Sequence, residues 1–113
     1  MKGRRKPDHE AESIVVKANR ITNQGYFHRS NTHGGNRMVA KGDVEVEIKK
    51  QHPGNRDKGV RPDPGTTLIG PGGDTEVTIE ARRPGRINRV PGRDIATASK
   101  GVRIFGKLRR SKE

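Results

Sequence analysis

The sequence predicts an all-β protein: a small sheet or partly open barrel of short antiparallel strands, with long loops and extended basic termini. Three observations point there. Fifteen glycines and seven prolines fall mostly between short β-branched runs, a punctuation that makes turns and ends helices. Asp43 to Lys50 alternates, with Val44, Val46 and Ile48 on one side and Glu45, Glu47 and Lys49 on the other. That is the period of a strand with one wet face. Finally, 27% of the 113 residues are hydrophobic and 34% charged, enough for one thin core in a single small domain.

Taken in order, Ser13 to Ala18 carries Ile14, Val15 and Val16 in succession and reads as a buried strand. Asp43 to Lys50 is the second. Thr66 to Ile69, the turn cluster Gly70-Pro71-Gly72-Gly73-Asp74 and Glu76 to Ala81 together read as a hairpin, with Val77 and Ile79 inward. Ile95 opens a weaker strand, and Val102 with Ile104 marks a last one. Val44, Val46, Ile48, Val77 and Ile79 are the expected core. Three Gly-rich polar stretches, Thr22 to Arg37, Gln51 to Pro64 and Arg82 to Arg93, are expected as loops, and loops of that length carry function or lack order. The resulting division is a flexible charged N-terminal arm over 1–12, a β domain over 13–106 with a basic arm at 82–93, and a basic tail over 107–113.

Charge is distributed unevenly along this frame. From Ala81 to the C-terminus there are eleven Lys or Arg against Asp94 and Glu113, a net +9 of the chain's +12. Asp63 to Glu80, just before, has four carboxylates and no Lys or Arg. A one-sided basic field concentrates anions, and release of counterions from phosphates supplies affinity without sequence preference. Candidate nucleic-acid-binding residues are Arg82, Arg83, Arg86, Arg89, Arg93, Lys100, Arg103, Lys107, Arg109 and Arg110. Guanidinium binds phosphate through two donors at once. Arg89, between Pro84-Gly85-Arg86 and Pro91-Gly92-Arg93, is expected at the arm tip. A solvated hairpin tip is the plainer alternative for the whole segment.

Other motifs point to less. The chain has no cysteine and its four histidines lack zinc-site spacing, so no metal and no cofactor is expected. Tyr26-Phe27-His28-Arg29 places rings beside a cation, as single-stranded bases require, yet packing in a small core or interface is the commoner use of so few aromatics. Gly70 to Gly73 follows no phosphate-loop pattern. Neither a nucleophile with its base nor a pocketed carboxylate pair is spaced for catalysis, and no enzymatic activity is expected. Met1 to Lys6 is basic but no apolar stretch follows, so a secretory signal is not expected, nor a membrane span.

From Leu68-Ile69-Gly70-Pro71-Gly72 through Glu76-Val77, Ala81-Arg82-Arg83-Pro84-Gly85-Arg86, Gly92-Arg93-Asp94-Ile95, Ala98-Ser99-Lys100 and Phe105-Gly106-Lys107-Leu108, the chain resembles the sheet-and-arm half of the bacterial HU and integration host factor histone-like proteins. The resemblance covers about 40 residues, is gapped, and has Asn88-Arg89 where the family's arm tip has Asn-Pro. It implies a DNA-binding arm at 82–93.

Together these readings lead to a non-enzymatic, nucleic-acid-associated structural protein that binds phosphate backbone with low sequence specificity, inside a large assembly such as a virion, a ribosome or a compacted genome. Its partners would be nucleic acid and other protein subunits, and its location cytoplasmic or within such a particle. The alternative is a capsid-stabilising or head-completion protein of a virus, whose loops and tails staple neighbouring subunits and whose arginines meet acidic protein surfaces.

Overall fold

The alternation of residues 44–50 is realised in space: Val44, Val46 and Ile48 are buried while Glu45, Glu47 and Lys49 are exposed. The computed structural model describes residues 6–27, 34–54 and 59–111, and among them there are nine strands and no helix. In chain order they are β1 (His9–Lys17), β2 (Arg20–Phe27), β3 (Gly35–Lys41), β4 (Val44–Lys50), β5 (Thr67–Gly70), β6 (Glu76–Arg82), β7 (Arg86–Arg89), β8 (Ile95–Phe105) and β9 (Arg109–Arg110). They form one antiparallel sheet in the order β2-β3-β6-β8-β1-β4-β5-β9, with β7 also paired to β8.

Strands β6 and β7 follow one another along the same edge of β8. Thr78 to Ala81 lie opposite Phe105 to Val102, and Arg86 to Arg89 lie opposite Ser99 to Ala96. Between these stretches Lys100 and Gly101 adopt positive φ, 66° and 89°, and the register of β8 with β1 slips between Ala11 and Ser13. A bulge of this kind bends and twists its strand. β1 and β8 lie at the centre of the sheet order, so a bend there affects the strands on both sides of them. Ile21 of β2 and Met38 of its neighbour β3 share one core with Leu68 of the distant β5 and with Ile87 of β7. The β6–β7 turn, with its cis Arg83–Pro84 peptide, lies tight against the bulge: a Cβ at Gly85 would meet the carbonyl oxygens of Ser99 and Lys100.

All five expected core residues are buried. The expected hairpin over Thr66 to Ala81 does not form. β5 pairs with β4 and β9, whereas β6 pairs with β3 and β8. The Gly-rich turn between them docks instead on Gly42-Asp43. Asp43 N donates to Gly72 O at 2.9 Å, Gly72 N to Asp43 Oδ1 at 2.8 Å, and Gly42 N to Thr75 O at 2.8 Å. Two stretches expected as loops contain strands. Thr22 to Arg37 holds most of β2 and the start of β3, and Arg82 to Arg93 holds β7, anchored by the inward Ile87. Residues 82–93 thus lie along β8 and do not project as the arm that the histone-like resemblance implies.

The termini of the described chain are also part of the sheet. β1 starts at His9, inside the stretch expected as an arm, and Pro7, Glu10 and Ala11 are buried. Asp8 N donates to Ile104 O at 2.9 Å, and Gly106 N to Asp8 Oδ2 at 2.7 Å. At the other end Arg109–Arg110 pairs with β5 and Ser111 N donates to Thr67 O at 2.9 Å, so residues 107–111 fold back onto the domain. Residues 1–5 and 112–113 lie outside the described residues.

Candidate nucleic-acid interface

The basic residues singled out from the sequence separate into four environments. The first is the β6–β7 turn. Ile87 enters the core, so its neighbours Arg86 and Asn88 face solvent, and Arg86 sits opposite Ser99, one residue before Lys100 in the bulge. Arg83 completes this group. Its backbone N donates to Gly34 O at 2.9 Å and its Nη2 to Tyr26 Oη at 3.0 Å, with the guanidinium 5.7 Å from the ring centroid. Among the described residues no carboxylate pairs with Arg83, Arg86 or Lys100. Arg82, half-buried at the end of β6, leads into the same turn and has an interaction of its own.

A local irregularity sets Tyr26 against this turn. The register of β2 with β3 slips between Asn23 and Gly25, where Gly25 has φ 76° and its N donates to Asn23 Oδ1 at 2.7 Å. One extra residue exchanges the two faces of a strand. Tyr26 therefore takes the side of the sheet on which Ile21 lies, and Phe27 the other, where its ring packs under Arg37 at 4.7 Å. Gly34 makes room for the Tyr26 ring, since a Cβ there would collide with it and with the carbonyl of Phe27.

At the other end of β7, Arg89 is a clamp. Its Nη1 donates to Ile21 O at 2.8 Å, and its Nη2 to Arg93 O at 2.9 Å and to Asp94 Oδ1 at 3.4 Å. Asp94 Oδ1 also accepts from Ile21 N at 3.0 Å. The guanidinium expected at an arm tip thus ties the β7–β8 turn to β2, and Arg93 remains exposed beside it. Lys107, Arg109 and Arg110 form a third group. Arg109 and Arg110 border a groove of about 270 Å³ whose walls include Arg61, Val60, Leu68 and His9.

Arg103 is the fourth case, and it is interior. It is 5% exposed and donates through Nη2 to Glu80 Oε1 at 3.0 Å. Arg37 Nε and Nη2 reach Glu80 Oε2 at 3.0 and 2.8 Å. Burial alone pushes the Glu80 carboxyl up, but the hydrogen bonds and charges of Arg103 and Arg37 outweigh it and hold the group below its ordinary value. Residue types gave no sign of this network. The only signal is register, which sets Arg37, Glu80, Arg103 and Glu10 in a row across β3, β6, β8 and β1.

The histidines are dispersed. His52 is buried and accepts from Gly54 N at 3.0 Å. His9 Nδ1 is buried without a hydrogen-bond partner, and burial lowers the pKa of this imidazole against the opposing pull of Asp8. His28 and His33 lie outside the described residues. No described helix is long and apolar enough to cross a membrane. The chain matches no protein-family model, no curated protein and no solved structure.

Proposed function

We propose that this is a non-enzymatic, nucleic-acid-associated structural protein that holds phosphate backbone against the face built by the β6–β7 turn, β7 and the bulge of β8. The observation that carries the reading is the placement of Arg83, Arg86 and Lys100 at one turn and the bulge beside it, with no carboxylate among the described residues to neutralise them. Cations carried on one turn and its paired strand meet phosphates along a short stretch of backbone, and such contacts fix position without reading bases. Arg93 extends the face beyond β7, a strand about 13 Å long. Arg89 supports it from behind and Arg103 stands apart from it. Lys107, Arg109 and Arg110 offer a second, separate contact within a larger nucleoprotein assembly.

Binding of mixed-sequence DNA and RNA across a salt series tests this. Affinity is expected to fall steeply with salt, and Arg86→Gln to shallow the log-log slope by about 0.9 on duplex DNA or 0.7 on single strands. Arg83→Gln, Arg86→Gln and Lys100→Gln combined should remove most of the binding. Binding that ignores salt, or survives the triple substitution, would overturn the proposal and favour arginines that meet acidic protein neighbours in a particle.

A further inference from the structure

We infer that Tyr26 is a base-stacking platform and that the nucleic acid taken by this face is single-stranded. The inference rests on the phosphate-binding reading above and adds the class of nucleic acid. With one Tyr, two Phe and no Trp in 113 residues, aromatic mass is scarce, and a ring normally contributes some 150–250 Å² of burial to a core. Tyr26 is nevertheless 55% exposed, and among the described residues only Val60 is comparably exposed for a large hydrophobic side chain.

The ring is held in that exposed position. The bulge at Asn23 to Gly25 turns it to its side of the sheet, Gly34 leaves it space, and Arg83 anchors its hydroxyl at 3.0 Å. Such fixation lowers the entropy lost when a partner binds. β2 is the terminal strand of the sheet order, so among the described residues no further strand flanks it. Arg83 sits over the ring and in the same β6–β7 turn as Arg86, so a base lying on the open face of Tyr26 brings its own phosphate to Arg83. Aromatic platforms beside basic grooves hold single strands in this way. A duplex hides the faces of its bases, and a ring tethered through its hydroxyl is not free to wedge between them.

Because Tyr26 is the only Tyr and there is no Trp, the intrinsic emission of the protein reports this ring alone. The test titrates the full chain with an oligothymidylate of about 15 nucleotides, a length that suits known single-strand sites, and separately with a duplex of mixed sequence. Oligothymidylate is expected to quench the tyrosine emission, and the duplex to bind more weakly without quenching. By anisotropy of labelled strands, Tyr26→Ala should weaken oligothymidylate binding about 5- to 150-fold while duplex binding and both salt slopes stay as in the parent. Tyr26→Phe should retain most of the affinity, which separates stacking from loss of the hydroxyl. If both nucleic acids bind with the expected salt slopes but quenching is absent and Tyr26→Ala is silent, the platform is overturned and the phosphate face stands. If neither binds in a salt-dependent way, both readings fall together.

Discussion

Glu80 and Arg103 meet across β6 and β8, with Arg103 Nη2 3.0 Å from Glu80 Oε1 and the two side chains only 10% and 6% exposed. Arg37 closes the other carboxylate oxygen at 2.8 Å from a position 27% exposed. The pair lies in the middle of a row whose charges alternate from strand to strand. Its geometry makes it costly to break from one side only.

Arg103→Met should therefore destabilise the fold by about 3–5 kcal/mol, because it leaves the Glu80 carboxylate buried with half its support. Urea denaturation should show a lower midpoint with an unchanged slope. Adding Glu80→Leu should recover part of the loss, since Arg37 is exposed enough to rehydrate while Glu10, buried opposite position 103, keeps its cost. A single substitution as stable as the parent would show that the row is not coupled.

Acid should lower the stability of the protein in two stages. His9 has its pKa lowered by burial from the ordinary 6.5, so the native state takes up its proton less readily than the unfolded chain, and stability falls as pH drops below that value. Glu80 is also lowered, from 4.5. Its contribution is complete above 4.5 and drains away as pH falls below it through the native-state value. Thermal midpoints measured against pH should show both declines, and His9→Gln should remove the first while leaving the second.

Val46 is fully buried in β4. Val46→Asp places an unpaired carboxylate in the core at a cost of several kcal/mol, against a total stability of roughly 5–15 kcal/mol for a domain. Far-UV circular dichroism should show loss of the β signal.

Truncation after Gly106 removes β9 and the half-buried Leu108, which packs on the core beside Gly70. The expected loss is about 1–2 kcal/mol of stability, read as a lower thermal midpoint. A freely solvated tail would leave the midpoint where it was.

Legibility in the sequence followed the apolar period. β4 and β6 could be read because Val44, Val46, Ile48, Val77 and Ile79 alternate without interruption. β2 could not, because its bulge falls between Ile21 and Tyr26 and erases the alternation. β7 offers one inward apolar residue, Ile87, and owes its strand form to pairing with β8. The basic cluster was visible as charge, but its division was not. Arg103 is interior because it lies opposite Glu80, Arg89 is a clamp because β2 starts beside it, and Arg83, Arg86 and Lys100 meet no carboxylate among the described residues. Each outcome depends on which distant strand becomes a neighbour, and local composition carries no record of that.

The pairing of β1 with β8 places the first and last long strands side by side at the centre of the sheet, with Asp8 and Gly106 joined across 98 residues. A nascent chain therefore has no complete centre until Phe105 has left the ribosome. Until then the apolar faces of β1, β4 and β6 wait without the strand that joins them. Folding accordingly waits on closure of the longest loop between paired strands, and is expected in the slow range of small β proteins, milliseconds to seconds.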